Sequence, residues 1–382
     1  MSSILMLLLL IPYGVYPLFA WAMAQRKNPH TVEVPIPLRD YPMVDVVFAA
    51  YNEEKVIGAK LESLAASHYP SDRFRVWIGS DVSTDATDAL VRSFSEKHPA
   101  FQLVRMPHRT GKSGIINALV AKGKGEIIVA TDANIFFEPE TLSFLVQAIQ
   151  RGNALAGGWI SYRDAGHRIQ KESSIAQQES LYLNFENRLK QWESAAFHLP
   201  MGVEGGCYAI DRKAWQPIPP NTFMEDFFVT LQVAKKGLRI AWVPEARCTE
   251  DVSVDRSEEF QRKIRISLGN FQNLARFWTV LFTSPYPLGW VFFGHKVLRW
   301  VFPFVSLALL FVSIAKEQWV LPGLFAVIGF FWLWDTAEPQ RPGIKRSIGH
   351  FCSMNMALVF GFFRYLRGVK SSVWQPTKRE EI

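Results

Sequence analysis

The stretch that decides the fold is Met43-Val44-Asp45-Val46-Val47-Phe48-Ala49-Ala50. It is short, apolar and rich in β-branched residues, which is typical of a strand buried on both faces of a parallel sheet. Three further runs of this character follow, at 74–80, 101–106 and 126–131. Helical patterns separate the runs, at 54–67, 84–98 and 114–121. Strands that alternate with helices predict an α/β domain, with a mostly parallel sheet and helices on both of its faces.

Polar side chains follow three of these strands at their carboxyl ends, where open parallel sheets bind ligands. The first strand is followed by Tyr51-Asn52-Glu53-Glu54, the second by Asp81-Val82-Ser83-Thr84-Asp85 and the fourth by Asp132-Ala133-Asn134. Capping of a helix explains one such residue, for example Asp85. It explains three converging groups of carboxylates poorly, so the sequence predicts a ligand site at this edge.

The familiar nucleotide motifs are absent from this edge. No Gly-x-Gly-x-x-Gly follows the first strand, which argues against a dinucleotide site. Gly111-Lys112-Ser113 matches the end of a P-loop, but Met106 stands where that motif needs Gly. Lys112 still opens a helix, where a cation and backbone N–H groups suit a phosphate, although a solvated lysine explains it equally well. Carboxylates beside a basic loop suit a nucleoside diphosphate that is carried by a divalent cation.

The two ends of the chain are apolar. Residues 1–25 carry no charge, and Arg26 and Lys27 follow at once, which predicts an N-terminal anchor with the next residues in the cytoplasm. A cleaved signal peptide is the competing interpretation, but no basic residue precedes the apolar run. Residues 290–365 contain three more apolar segments, at 290–315, 319–334 and 348–363. The chain is therefore expected to be a multi-pass protein of the inner (plasma) membrane.

Basic residues concentrate beside these apolar segments. The 382 residues include 42 Lys+Arg and 35 Asp+Glu, a net charge of +7. Basic and aromatic residues at 255–285 predict interfacial helices, and the tail 366–382 is basic. An anionic leaflet accounts for this charge, so we expect membrane lipids as partners and no nucleic acid. Three spans after a cytoplasmic domain at 40–250 place the C-terminus outside, whereas the basic tail favours the inside. A C-terminus on the inside would require one of the short segments to be re-entrant or interfacial, and both topologies stay open.

In order along the chain, the motifs of the α/β domain resemble those of family 2 glycosyltransferases with a GT-A fold. The matching pieces are Ala50-Tyr51-Asn52-Glu53, Ser80-Asp81-Val82-Ser83-Thr84-Asp85, Gly111-Lys112, Asp132-Ala133-Asn134, Gly205-Gly206 and Met224-Glu225-Asp226. The fourth piece stands in place of Asp-x-Asp, so an uncharged amide replaces the second carboxylate. The last piece stands in place of Thr-Glu-Asp.

The resemblance implies a role for each matching residue. A UDP-sugar donor would be bound by Tyr51, Glu53, Asp81, Lys112, Asp132 and Arg265. Asp132 and Asn134 would hold Mg²⁺ or Mn²⁺, and Asp226 would be the general base on the acceptor hydroxyl. Gly205, Gly206 and Glu225 would lie near the acceptor. Asp226 also starts a helical pattern, so capping of that helix is the alternative.

The resemblance also implies the reaction, an inverting transfer of a hexose or N-acetylhexosamine to a glycan or lipid-linked acceptor in cell-surface glycan synthesis. Processive members carry Gln-x-x-Arg-Trp, but here the stretch 262–266 keeps only the Arg, as Arg265. Processive synthesis is therefore in doubt. Two alternatives stay open: a polyprenyl-phosphate sugar synthase, and a noncatalytic, nucleotide-binding membrane subunit.

Overall fold

The computed structural model describes residues 2–27, 41–163, 174–251, 256–323, 325–326, 329 and 344–368. The chain divides into two compact units. The first comprises Met1–Met23, Arg168–Leu183 and Val254–Gly368, and the second comprises Ala24–His167, Asn184–Ser253 and Val369–Ile382.

The second unit is built on an eight-stranded sheet. Its strands are β1 Val44–Ala50, β2 Phe74–Ser80, β3 Phe101–Arg105, β4 Ile127–Thr131, β5 Ile135–Phe137, β6 Leu155–Arg163, β7 Cys207–Asp211 and β8 Ile240–Asp251. Among the described residues, the α-helices include α1 Ser2–Leu10, α2 Tyr16–Gln25, α3 Ile57–Ala65, α4 Thr87–Lys97, α5 Lys112–Lys122, α6 Thr141–Gln150, α7 Ser174–Phe197, α8 Glu225–Lys235, α9 Arg256–Phe277, α10 Val280–Thr283, α11 Leu298–Ala315 and a last helix at Ile344–Leu366.

The strand order is β3-β2-β1-β4-β7-β6-β8-β5. β1, β2, β3 and β4 pair in parallel, as the alternating pattern predicted, and β6 and β8 are also parallel. β7 runs antiparallel to β4 and β6, and β5 runs antiparallel to β8. The sheet is thus mixed, and the predicted α/β class is confirmed. Because β2 lies on one side of β1 and β4 on the other, the carboxyl ends of all three strands reach the same edge.

The first strand is buried on both faces, which explains its continuous apolar sequence. All seven residues of β1 are buried. Val44, Val46 and Phe48 belong to the same core cluster as Ile57 and Leu61 of α3. The alternate residues of the strand point to the other face, which α5 covers. This packing holds the loops after β1 and β2 against a rigid base.

Two helical stretches in the part of the chain that the structure describes are long and apolar enough to cross a membrane, Ser3–Gln25 and Tyr286–Ala315. They support membrane association, although signal sequences and soluble core helices share such length and composition. Half of the predicted segment 319–334 lies outside the described residues. The predicted segment 348–363 lies in the last helix, where His350, Ser353 and Asn355 lower the hydropathy. The predicted multi-pass topology is therefore not supported.

Within the first unit, a buried arginine ties α11 to the N-terminal helices. Residues Ile11–Val15 form a π-helical turn in which the Tyr16 N–H binds the Ile11 carbonyl oxygen. The next residue, Pro17, has no N–H, so the helix offers no donor to the Pro12 carbonyl oxygen. Arg299 donates to this oxygen from Nε at 3.3 Å and from Nη2 at 3.2 Å. Satisfying a buried carbonyl explains a charge inside an apolar helix.

Candidate active site

The loops after β1 and β2 are connected by hydrogen bonds from backbone N–H groups to side-chain oxygens. The Asn52 backbone N–H donates to Ser83 Oγ at 3.2 Å, and the Thr84 N–H donates to Asn52 Oδ1 at 2.8 Å. Asp85 accepts the Thr87 N–H at 3.0 Å and the Glu54 N–H at 3.1 Å, so its carboxylate also connects the two loops. Asn52 and Val82 have φ angles of 53° and 63°. A left-handed conformation is rare for a β-branched residue, and it marks this loop pair as a constrained site.

Asp81 organises the loop that leads into α5. Its carboxylate is fully buried and accepts the Thr110 N–H at 2.6 Å, the Gly111 N–H at 3.3 Å and Arg109 Nε at 3.0 Å. The Arg109 guanidinium also lies over the Tyr51 ring, with its carbon 3.3 Å from the ring centroid. Two predicted donor-binding residues, Tyr51 and Asp81, are thus joined by an arginine that the motifs did not indicate.

Replacing Asp81 with alanine should destabilise the second unit. The Asp81→Ala variant leaves two backbone N–H groups and a guanidinium without this acceptor, so we expect unfolding to require about 3 kcal/mol less. Chemical denaturation followed by circular dichroism measures the change. Asp72→Ala is the control, because that carboxylate is exposed and the change is expected to cost less than about 0.5 kcal/mol. Equal effects of the two substitutions would contradict this role for Asp81.

Lys112 lies at the centre of the candidate site. It is the first residue of α5, and its ammonium is 2.6 Å from Asp132 Oδ1 and 2.6 Å from Glu225 Oε1. Burial alone would lower the pKa of Lys112, but these two carboxylates raise it above its usual value. The lysine therefore keeps its charge, and it joins the turn after β4 to the start of α8.

Asp226 is a buried carboxyl group in the first turn of α8. Burial raises its pKa to about 7, and Glu225 and Glu204 add to the rise, while Lys112 opposes it. The N-cap residue of α8 is Met224, whose side chain makes no capping hydrogen bond, and Asp226 is the second residue of the helix and accepts the Phe227 N–H at 2.8 Å. A carboxyl group that titrates near pH 7 is suited to accept a proton from a hydroxyl group.

The two predicted glycines have different surroundings. A Cβ atom on Gly205 would lie 3.3 Å from Asp226 Oδ2 and 3.4 Å from Lys112 Nζ. Gly205 therefore borders the carboxylate group, where a missing side chain leaves room for a substrate. A Cβ atom on Gly206 would lie 2.5 Å from Ile135 Cγ1, so close packing explains this second glycine. A role of either glycine at the acceptor stays a prediction.

The turn after β4 offers two hard oxygen donors to a cation. Asn134 Nδ2 donates to Glu250 Oε1 at 3.0 Å, which leaves the amide oxygen as the atom that can bind a metal. Asp132 supplies a carboxylate from the same turn. Among the described residues, no three His, Cys, Asp or Glu side chains form a metal-binding group. The pair fits a Mg²⁺ or Mn²⁺ ion that takes its remaining ligands from a substrate diphosphate.

Two predicted donor-binding residues, Glu53 and Arg265, stay predictions, and one buried lysine was missed. Glu53 donates its backbone N–H to Thr87 Oγ1 at 2.8 Å, and its side chain's role stays a prediction. Arg265 lies on α9 in the first unit, and its role at the donor also stays a prediction. Lys190 forms an ion pair with Glu204. The sequence did not predict this buried pair, because no motif in α7 distinguishes Lys190 from a solvated lysine. Burial alone would lower the pKa of Lys190, but Glu204 and Glu186 raise it.

Comparisons with known proteins identify the family of the chain. The "Glycosyl transferase family 2" model matches residues 45–207, and the "Glycosyl transferase family group 2" model matches residues 127–334. The second match spans more than half of the chain. The fold and site define a sugar-transferring enzyme, and the chain belongs to the family 2 glycosyltransferases.

One similar structure shows the fold over almost the entire chain. It is the mannosyltransferase PcManGT from Pyrobaculum calidifontis, solved with GDP-Man and Mn²⁺, with a TM-score of 0.70 and 21% identity. The match covers 96% of this chain and 98% of that one. The predicted GT-A type fold is therefore confirmed.

Among curated relatives, the beta-monoglucosyldiacylglycerol synthase of Synechocystis sp. is 23% identical over 307 residues, 76% of this chain and 61% of that protein. An N-acetylglucosaminyltransferase of Rhizobium meliloti is 24% identical over 234 residues, 57% of this chain and 53% of that protein. This chain thus spans only about three fifths of the length of the first relative and about half of the second.

Proposed function

We propose that the protein is an inverting transferase that moves a sugar from a UDP-sugar to a hydroxyl group of a glycan or lipid acceptor at the cytoplasmic membrane face, in cell-surface glycan synthesis. The observation that carries the proposal is the group formed by Lys112, Asp132, Glu225 and Asp226, in which one carboxyl group titrates near pH 7. Direct displacement at the anomeric carbon needs such a base, because the acceptor hydroxyl must lose its proton as the new bond forms.

Each residue then has a task in the transfer. Tyr51 and Asp81, both held by Arg109, lie at the carboxyl ends of β1 and β2, where they would bind the uridine. Lys112 would meet the diphosphate. Asp226 would hold the acceptor hydroxyl and take its proton. A single base on the acceptor side gives inversion, because the hydroxyl attacks opposite the leaving diphosphate.

A divalent cation suits the charge of this site. Asp132, Glu225 and ionised Asp226 carry three negative charges around one lysine, so a diphosphate would be repelled without a further cation. Asp132 and Asn134 would hold Mg²⁺ or Mn²⁺, which stabilises the charge on the departing diphosphate. PcManGT was solved with Mn²⁺, which supports this part of the proposal.

A lipid acceptor fits the two apolar helices and the relative that makes a glucosyl diacylglycerol. The acceptor would then be the hydroxyl group of a neutral membrane lipid, and Asp226 would take its proton. A polyprenyl-phosphate acceptor is the second candidate. Its oxygen is already ionised, so it would need little help from Asp226.

An assay with two acceptors tests the proposal. The purified protein is incubated with a panel of UDP-sugars, Mn²⁺ or Mg²⁺, and vesicles that contain either diacylglycerol or polyprenyl phosphate. We expect UDP release with diacylglycerol for at least one donor, and a glycolipid detected by mass spectrometry. Release with polyprenyl phosphate alone would favour the second candidate, and the absence of release with every donor and acceptor would sink the proposal.

The rate should depend on pH through Asp226. A base works only when ionised, and its pKa is about 7, so kcat/KM should fall about tenfold per pH unit below pH 7 and level off above it. Glu225 raises the pKa of Asp226, so Glu225→Gln should move this fall to lower pH. Initial rates between pH 5.5 and 8.5 measure both curves, and a flat wild-type profile would show that another group is the base.

A further inference from the structure

A lysine without any exposed surface lies beneath the candidate site. Lys60 of α3 is 0% exposed. Its ammonium lies 4.5 Å from the centroid of the Phe137 ring and 5.7 Å from that of Phe48. Burial lowers the pKa of Lys60 to about 7, although the Cys248 and Cys207 thiols and Asp132 oppose the shift. Placing an ammonium group here is costly, because the ion loses its hydration.

The ammonium binds both ends of one short turn. It donates to Thr131 Oγ1 at 2.8 Å and to the Ile135 carbonyl oxygen. Thr131 is the last residue of β4 and Ile135 the first of β5, so these two contacts enclose the turn Asp132-Ala133-Asn134. The turn itself is closed by the Ile135 N–H, which donates to the Asp132 carbonyl oxygen at 3.2 Å.

The same contacts extend to the glycine loop on the other side of the site. Thr131 Oγ1 accepts from Lys60 and donates to the Gly206 carbonyl oxygen at 2.8 Å. Gly206 adjoins Gly205, which borders Asp226 and Lys112. A buried chain of hydrogen bonds therefore runs from α3 through the Asp132 turn to the loop beside Asp226. Such a chain fixes the relative positions of the groups it joins.

We propose that Lys60 is a positioning residue of the transfer site, which holds the Asp132-Ala133-Asn134 turn in register with the Gly205-Gly206 loop through Thr131. The inference rests on the proposed function, since it assigns the turn to donor and cation. Lys60 touches neither substrate; it acts through the backbone of the turn and through the threonine hydroxyl.

The test uses matched substitutions at the two ends of the chain of hydrogen bonds. Lys60→Met removes the charge but keeps most of the volume, and Lys97→Met on the exposed surface of α4 is its control. Thr131→Val removes the hydroxyl at nearly constant shape, and Thr131→Ser restores it. Hydrogen exchange of the peptide that contains 132–135 and initial rates of UDP release are measured for each variant, together with the midpoint of thermal unfolding.

We expect Lys60→Met and Thr131→Val to speed exchange of the turn about tenfold, the effect of losing one buried hydrogen bond. Their kcat/KM should fall about tenfold, the double variant should lose little more than either single one, and Thr131→Ser should recover the rate. If Lys60→Met does not fold, Thr131→Val decides the question. Hydrogen exchange and rates at wild-type values in a folded Thr131→Val protein would overturn the inference. An inactive wild-type protein would count against the proposed function instead, and the role of Lys60 would then be decided by hydrogen exchange alone.

Discussion

Asp226→Asn is expected to lower kcat about 1,000-fold, the largest effect of any single substitution in the site. The amide keeps the size of the carboxyl group and its hydrogen bond from the Phe227 N–H, which is 2.8 Å long, but it cannot take a proton. General base catalysis contributes about 10²- to 10⁴-fold, so the loss should fall in this range. Initial rates of UDP release at pH 8, where the wild-type base is ionised, measure it.

The loss should occur without damage to the fold. The ionised Asp226 carboxylate is buried at a cost, since its pKa is raised, so the neutral amide should leave the protein at least as stable at pH 8. Because the pKa of Asp226 is raised in the folded protein, the stability lost by burying this carboxylate grows as the pH rises toward 7 and shrinks in acid. Asp211→Asn, at the end of β7, is the control and should keep full activity. An Asp226→Asn protein with more than about a tenth of the wild-type rate would contradict the assignment.

Lys112→Met is expected to lower kcat/KM about 100-fold. In the variant, Asp132 and Glu225 lose the ammonium that lies 2.6 Å from each. Their uncompensated charges then repel the donor diphosphate, which raises the free energy of the transition state by about 3 kcal/mol. Because Lys112 also lowers the pKa of Asp226, its removal should shift the pH profile upward, so that the loss is greater at pH 7 than at pH 8.5.

Lys122→Met provides the matched control for that experiment. Lys122 lies on the same helix, at its other end, and is exposed. Its replacement should change neither kcat/KM nor the pH profile. If Lys112→Met behaved like Lys122→Met, the lysine would have no part in donor binding, and the site would have to bind the diphosphate through other groups.

Much of the fold could be predicted because local patterns determine it. β1 and β2 are buried on both faces, and their apolar sequences indicate this directly. β5, β6, β7 and β8 were not predicted, since their places depend on partners distant in the chain. β6 also changes register with β8 between Gly158 and Trp159, which no local signal announces.

Some residues of the candidate site could be predicted from the sequence, and others could not. The motif residues at strand ends, such as Asp81 and Asp132, could be predicted because parallel strands deliver their ends to the same edge. Arg109 and Lys60 could not, because their roles come from contacts formed only after folding. Lys60 in particular lies in an ordinary helical pattern, where a lysine is expected in solvent. Its burial follows from the tertiary contacts of α3 with the turn after β4.

The configuration of the sugar in the product tests the central claim most directly. The wild-type protein is supplied with an α-linked UDP-sugar, Mn²⁺ and diacylglycerol vesicles, and the anomeric proton of the glycolipid is examined by nuclear magnetic resonance. A single base at Asp226 and direct displacement predict a β-linked product. An α-linked product, or the absence of any glycolipid for every donor in the panel, would contradict an inverting transfer that depends on Asp226.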